Sequence, residues 1–218
     1  MVRSHSLACA ALLVQGTLAV AAAATATSGT TALDRYLDGL RSLRVTFSQS
    51  LTDARGKKAD QATGELLVLR PGRFRWDIHP ARAGDSGQLL VADGRNLWFF
   101  DRDLAQVTVK PMDAALSATP AMLLSGAGDV RSAFQVESDG RRDGLDWVRI
   151  TPRGADADFR EATLGFAGDD LKRMVLKDKL GQTATLTFEH AQRNAPVAPA
   201  EVSFTPPAGA DVIGTPQK

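Results

Sequence analysis

Leu66–Ile78 reads LLVLRPGRFRWDI, and the fold follows from how this stretch is parsed. Its first half runs as a strand into Pro71-Gly72. Proline cannot continue a β-ladder and the pair favours a tight turn, so the strand ends there. Its second half alternates, with Phe74, Trp76 and Ile78 on one face and Arg73, Arg75 and Asp77 on the other. The same alternation puts Arg70 on the face of Leu66 and Val68, at the strand's very end. Two strands about a turn, with one dry face, predict an antiparallel sheet.

Working outward, the period of two continues in both directions. Upstream, Val45, Phe47, Gln49 and Leu51 alternate with Arg44, Thr46, Ser48 and Ser50, and Asp53–Gly56 supplies the turn. Further upstream the period lengthens. Leu33, Tyr36, Leu37, Leu40 and Leu43 fall at three- and four-residue steps, predicting one amphipathic helix capped by Thr30 or Thr31. Downstream, Leu89–Val91, Leu97–Phe100 and Gln106–Lys110 form a meander around Asp93-Gly94. Pro111–Ser125 breaks the pattern, being rich in Ala, Leu and Met, and is expected to form two short helices joined at Pro120. Strand-like runs resume at Phe134–Glu137, Trp147–Thr151, Ala162–Phe166, Arg173–Leu176 and Thr183–Phe188, with one more expected at Val202–Phe204. The sum is an α+β chain of about eleven strands in one curled antiparallel sheet, with helices against one side.

The first residues read differently. Met1–Ser6 carries Arg3 and no acid, Leu7–Ala24 is apolar, and A-x-A patterns follow at Ala22–Ala24 and Ala24–Ala26. This is the layout of a cleaved export signal over residues 1–26, leaving 27–218 as one domain. Gln15 and Gly16 interrupt the apolar run, against a membrane anchor. Cys9, the chain's sole cysteine, precedes that run instead of ending it. It is therefore expected to leave with the signal, and the mature chain to rely on its core with no disulfide. Arg3 is the only charge lost with residues 1–26. The mature chain then balances its acids and bases, from 26 Lys+Arg and 25 Asp+Glu in the full sequence. Nucleic-acid binders carry a basic excess, and this chain has none.

Candidate catalytic residues are few. Gly84-Asp85-Ser86-Gly87 resembles a serine-protease nucleophile sequence, but that chemistry needs a base and an orienting acid brought from distant parts of a fold. Only His79 and His190 remain outside the signal, and His79 is a near neighbour of Ser86 in sequence. A polar loop explains Gly, Asp and Ser equally well. The two histidines sit in no spaced ligand cluster, and Gly126-x-Gly128 lacks the third glycine of a dinucleotide loop. No enzyme, metal or cofactor is expected.

Five ordered stretches carry a resemblance: FSQ at Phe47–Gln49, RPGRFRWD at Arg70–Asp77, VADGRNLWFFD at Val91–Asp101, ATPAMLLSG at Ala118–Gly126 and SFTPPAGADVI at Ser203–Ile213. Together they resemble the LolA family of periplasmic lipoprotein carriers, along the whole expected mature chain. The resemblance implies an unclosed β-barrel whose apolar inner face is covered by a lid of helices. It implies a monomer in the periplasm of a Gram-negative bacterium that takes outer-membrane-directed lipoproteins from an inner-membrane ABC transporter. It also implies delivery to the outer-membrane acceptor LolB, itself a lipoprotein, whose lipobox cysteine this sequence does not match. In that family the arginine of the RP pair bonds carbonyls of the lid, which makes Arg70 the expected latch, reaching toward the helices near Thr119-Pro120. Phe47, Phe74 and Trp76 are expected to line the cavity, with Leu66, Val68, Trp98, Met122 and Leu123. A LolA-like carrier or sensor of another lipid or lipoprotein signal, as in sigma-factor regulators of the superfamily, is the alternative; such a regulator is expected to bring a further domain and a transmembrane link.

Overall fold

The computed structural model describes residues 30–112, 121–127, 129–154, 157 and 159–217. The expected signal at 1–26, with Cys9, and the Thr119-Pro120 junction lie outside them.

Helix α1 (Ala32–Leu37) begins at Thr31, whose hydroxyl accepts from the Asp34 N–H at 3.2 Å while the Asp34 carboxylate accepts from the Thr31 N–H at 2.7 Å. This reciprocal capping box fixes the start of a helix too short to persist alone. The helix ends earlier than the spacing predicted. Gly39 takes a left-handed φ of +64°, and Leu43 already belongs to strand β1 (Ser42–Thr52). Leu40 and Leu43 stay buried in the same interior as Leu33 and Tyr36, so the apolar spacing carries on past the helix that produced it.

Strands β2 (Lys58–Leu69), β3 (Arg73–Pro80), β4 (Gln88–Asp93), β5 (Asn96–Asp101) and β6 (Gln106–Pro111) follow in a meander. Helices α2 (Ala121–Ser125) and α3 (Val130–Ala133) lead into a second meander. Its strands are β7 (Phe134–Arg142), β8 (Leu145–Pro152), β9 (Phe159–Ala167), β10 (Asp170–Asp178) and β11 (Thr183–Arg193). The last strand, β12 (Asp211–Ile213), adds to β6 in parallel. One sheet results, in the order β12-β6-β5-β4-β3-β2-β1-β11-β10-β9-β8-β7. Its described edges are β12 and β7, so the barrel is unclosed and has twelve strands where about eleven were expected. The strand expected at Val202–Phe204 is instead a 3-10 turn at Pro199–Val202 and extended chain, because Pro199 opens a helical turn that takes up Val202.

Topology places the lid. The two meanders join where β1 pairs with β11, so β6 and β7 lie toward opposite edges. The connection between them has to cross the sheet. Within it, α2 packs on β2 and β3, while α3 packs on β7. Alternation divides the apolar residues between two faces. The inner face, covered by α1 and α2, holds one large core. The outer face of β4–β6 holds a smaller one of Leu89, Val91, Trp98, Val107 and Val109, covered by Phe204 and Ala210 of the C-terminal tail.

Candidate functional site

Leu66, Val68, Phe74, Trp76, Met122 and Leu123 meet in the inner core together with Phe47. Cross-strand pairing stacks Val68 opposite Phe74 and Leu66 opposite Trp76. Phe47 meets the Trp76 ring edge-on at 6.0 Å and Phe188 at 6.5 Å. Gly64, the partner of Phe47 across the β1–β2 ladder, makes room for this ring. A Cβ there would stand 2.4 Å from the Phe47 Cζ and 2.1 Å from the Asp77 carbonyl oxygen.

Trp98 corrects the expected lining. It belongs to the outer core, 5.6 Å from the Phe204 ring, and its indole donates to the Asp93 carboxylate at 2.7 Å. The neighbouring Leu97 faces the inner core instead. In β5 both alternation phases are apolar, so alternation could not say which one turned inward. Burial pushes the Asp93 carboxyl upward, but the bonds from Trp98, Asn96 and Arg95 outweigh it and hold the group below its ordinary value.

Arg70 ends the strand as expected and lies against the lid. Its Nη1 donates to the carbonyl oxygens of Leu37 at 2.9 Å and Leu40 at 3.1 Å. The Leu37 carbonyl ends α1 and the Leu40 carbonyl lies in the link to β1, whereas the reach was expected toward Thr119-Pro120. The last carbonyls of a helix have no intrahelical partner and carry its partial negative charge, so a guanidinium suits them. The same turn also grips α2, since the Gly72 N–H donates to the Ser125 carbonyl at 2.8 Å. At Gly126 (φ +67°), which follows α2, a Cβ would fall 2.3 Å from the Arg70 Nε. Only glycine admits both that backbone and that contact.

Sequence reasoning missed a second arginine. Arg193, at the end of β11, donates through Nη2 to the carbonyls of Tyr36 at 2.8 Å and Asp38 at 3.3 Å. Its guanidinium carbon lies 5.0 Å from the Tyr36 ring centroid. Asn194 continues the grip, donating to the Gly39 carbonyl at 3.1 Å and accepting from the Arg41 N–H at 2.8 Å. The end of α1 is therefore held from both neighbours of β1. Its start is tied to α3, where Arg131 meets Asp34 at 2.7 Å. Burial works to raise the Asp34 carboxyl, but the Thr31 bonds and Arg131 prevail and lower it. Burial pushes the Tyr36 hydroxyl up to about 12 against the pull of Arg193. Four buried side-chain polar atoms among the described residues have no hydrogen-bond partner: Tyr36 Oη, Trp76 Nε1, Arg102 Nη1 and Arg193 Nε.

Ser86 lies in the exposed stretch 81–86, where its N–H donates to Asp103. His79 sits 3.2 Å from Asp77, a carboxylate also held by Arg102 at 2.8 Å and Arg75 at 3.4 Å. Among the described residues, no three His, Cys, Asp or Glu side chains cluster to hold a metal. No described helix is long and apolar enough to cross a membrane.

An apolar inner face closed by short, polar-tethered helices now has a family to compare with. The model of the family LolA, outer membrane lipoprotein carrier protein, matches residues 38–205. The chain belongs to the LolA family. An outer-membrane lipoprotein carrier protein of Dechloromonas aromatica is 40% identical over 182 residues, which cover 84% of this chain and 86% of that one. A protein of the same name from Methylobacillus flagellatus is 38% identical over 186 residues, or 85% and 89% of the two chains. A third, from Chromobacterium violaceum, is 35% identical and spans 93% of this chain and 96% of its own. The matched range spans Arg70, Arg193 and Phe47, Leu66, Val68, Phe74, Trp76, Met122 and Leu123, and the family's description names a carrier, which is not a class of enzyme.

Proposed function

We propose that this chain is a periplasmic carrier that shields the acyl chains of outer-membrane-directed lipoproteins, taking them from an inner-membrane ABC transporter and handing them to LolB. It is exported with a cleaved signal and works as a monomer. The observation that carries the reading is the apolar inner face covered by α1 and α2 and tethered through guanidinium–carbonyl bonds. The relatives' shared name supports the cargo.

The energetics fit this work. Each buried CH₂ is worth about 0.8 kcal/mol, so acyl chains do not cross water unaided and need a comparably dry surface. An empty carrier exposing that surface would aggregate, hence the lid. Hydrogen bonds from a charged donor contribute only about 1.5–3 kcal/mol, enough to favour a closed state and little enough for a ligand to reverse. Arg70 and Arg193 act as the latch on α1, and Phe47, Leu66, Val68, Phe74, Trp76, Met122 and Leu123 become the cargo surface when the helices lift.

A hydrophobic dye tests this directly. It should bind the purified mature protein and be displaced by lipoprotein in proportion to loading. Dye binding unchanged at saturating lipoprotein would remove the shared cavity and the reading with it.

A further inference from the structure

We propose that the indole N–H of Trp76 is the polar anchor of the cargo surface, donating to an ester carbonyl of the acyl glyceride. This rests on the carrier reading and assigns it a contact. Trp76 is 6% exposed, and its Nε1 is buried with no partner. It sits mid-strand on the inner face, opposite Leu66 of β2 and Leu90 of β4, against the edge-on ring of Phe47. None of these neighbours offers an acceptor side chain.

An indole can only donate, and its N–H has a fixed direction, so it cannot turn away as a hydroxyl does. The other unpartnered atoms differ. Arg193 and Arg102 have further nitrogens already bonded to carbonyl or carboxylate, and Tyr36 has a rotatable hydroxyl beside Arg193. Trp98 shows what this chain does with an indole in a finished core, since there an aspartate accepts its hydrogen bond. At Trp76 a phenylalanine would fill an apolar face with no donor left over. A donor held unspent within a ligand surface points to an acceptor that arrives with the ligand. Acyl tails bring none, but the ester carbonyls joining them to glycerol do. Those carbonyls lose their water on entering a dry cavity and need a donor there. One bond would satisfy both groups, and it would favour ester-linked over plain hydrocarbon ligands.

The test compares two lipopeptide probes of equal chain length, one bearing a diacyl ester glyceryl group and one its dialkyl ether analogue. Binding to the full mature protein is measured for wild type and Trp76→Phe, with the Trp76 indole N–H resonance followed by NMR. Wild type should prefer the diester by about fivefold to tenfold, the worth of one hydrogen bond. Trp76→Phe should lose that preference, weakening diester binding by about fivefold to tenfold more than diether binding, and the indole resonance should shift on adding diester but not diether. Equal wild-type affinity for both probes overturns the anchor, even if Trp76→Phe fails to fold. So does a variant that weakens both probes alike. Failure of both probes to bind wild type is a separate outcome, and it overturns the carrier reading along with the anchor.

Discussion

Trp76 and Trp98 lie on alternating aromatic strands of the same sheet, and each is 6% exposed. Their surroundings differ in kind. Trp98 donates a hydrogen bond to Asp93 and packs under Phe204, in a core closed by the C-terminal tail. That tail is secured by β12 on β6 and by a pair of bonds between Asn96 and Gln217. The Trp76 indole N–H has no acceptor, and it lies on the face covered by short helices, α2 tied through Gly72 and the end of α1 through Arg70 and Arg193. A satisfied core under a bonded strand is scaffold. An apolar face with an unspent donor, under short helices held by reversible contacts, is a surface kept ready for something else. The comparison teaches that burial alone does not separate core from binding surface; the state of the polar atoms and the strength of the cover do.

The largest effect should come from breaking the scaffold side. Trp98→Ala removes a large ring and the bond to one Asp93 oxygen, and should cost about 3–5 kcal/mol of stability. Denaturant unfolding measures this, and the folded fraction should still load cargo at the wild-type ratio. A stable Trp98→Ala protein that no longer loads would show that the outer face takes part in carrying.

Breaking the latch should cost less stability and more function. Arg70→Leu removes one bond to the end of α1 and one to the link that follows it, and adds apolar surface, so the closed empty state is weakened relative to the loaded one. Loading should survive while hand-over to acceptor-bearing membranes slows by roughly tenfold to a hundredfold, and the variant should accumulate with lipoprotein. Arg193→Leu should behave the same way, because it holds the same helix end from the other side. Combining the two should slow hand-over by less than the product of the single effects, since both act on one element. Arg70→Lys keeps the charge but not the planar fork of donors and should fall between. Normal delivery by both Leu variants would reduce these arginines to surface contacts.

How much of this could be read beforehand follows from the same contrast. The strands around Leu66–Ile78 were legible because each has one dry face, and Arg70 because it ends such a strand within a family motif. Trp98 was misplaced because Leu97 and Trp98 are both apolar, and parity along a strand says nothing about which side turns inward. Arg193 was invisible because its partners are backbone carbonyls 157 and 155 residues away, which leave no pattern in a sequence. Nothing in the sequence marks Gly64 as the space for Phe47 or Gly126 as the space for Arg70, because each need arises only when distant strands and helices meet. The end of α1 was overrun because Leu40 and Leu43 remain buried after the chain has left the helix.

The smallest effect is at Tyr36, and its sign sharpens the comparison. Its hydroxyl is buried under Phe166 and Arg193 with no partner, so the empty closed state leaves it unsatisfied. Tyr36→Phe keeps the ring contacts and removes that atom. It should therefore stabilise the empty protein at neutral pH, by up to about 1 kcal/mol. Trp98→Phe, deleting a polar atom that does have a partner, should move stability the other way. Alkaline pH separates the cases further. The hydroxyl rises from 10.0 to about 12 on folding, because burial disfavours the phenolate. A group raised in this way adds stability that is fully present below its unfolded value and is lost as pH climbs through the folded one. Wild type should thus weaken between pH 10.0 and about 12 through this residue. Tyr36→Phe should not share that component, and its advantage should widen across the window. Because the chain has a single tyrosine, tyrosinate absorbance follows this ionisation alone. A midpoint near 10.0, or a Phe variant less stable than wild type at neutral pH, would mean that the hydroxyl is already satisfied. The inner face would then be as finished as the outer one.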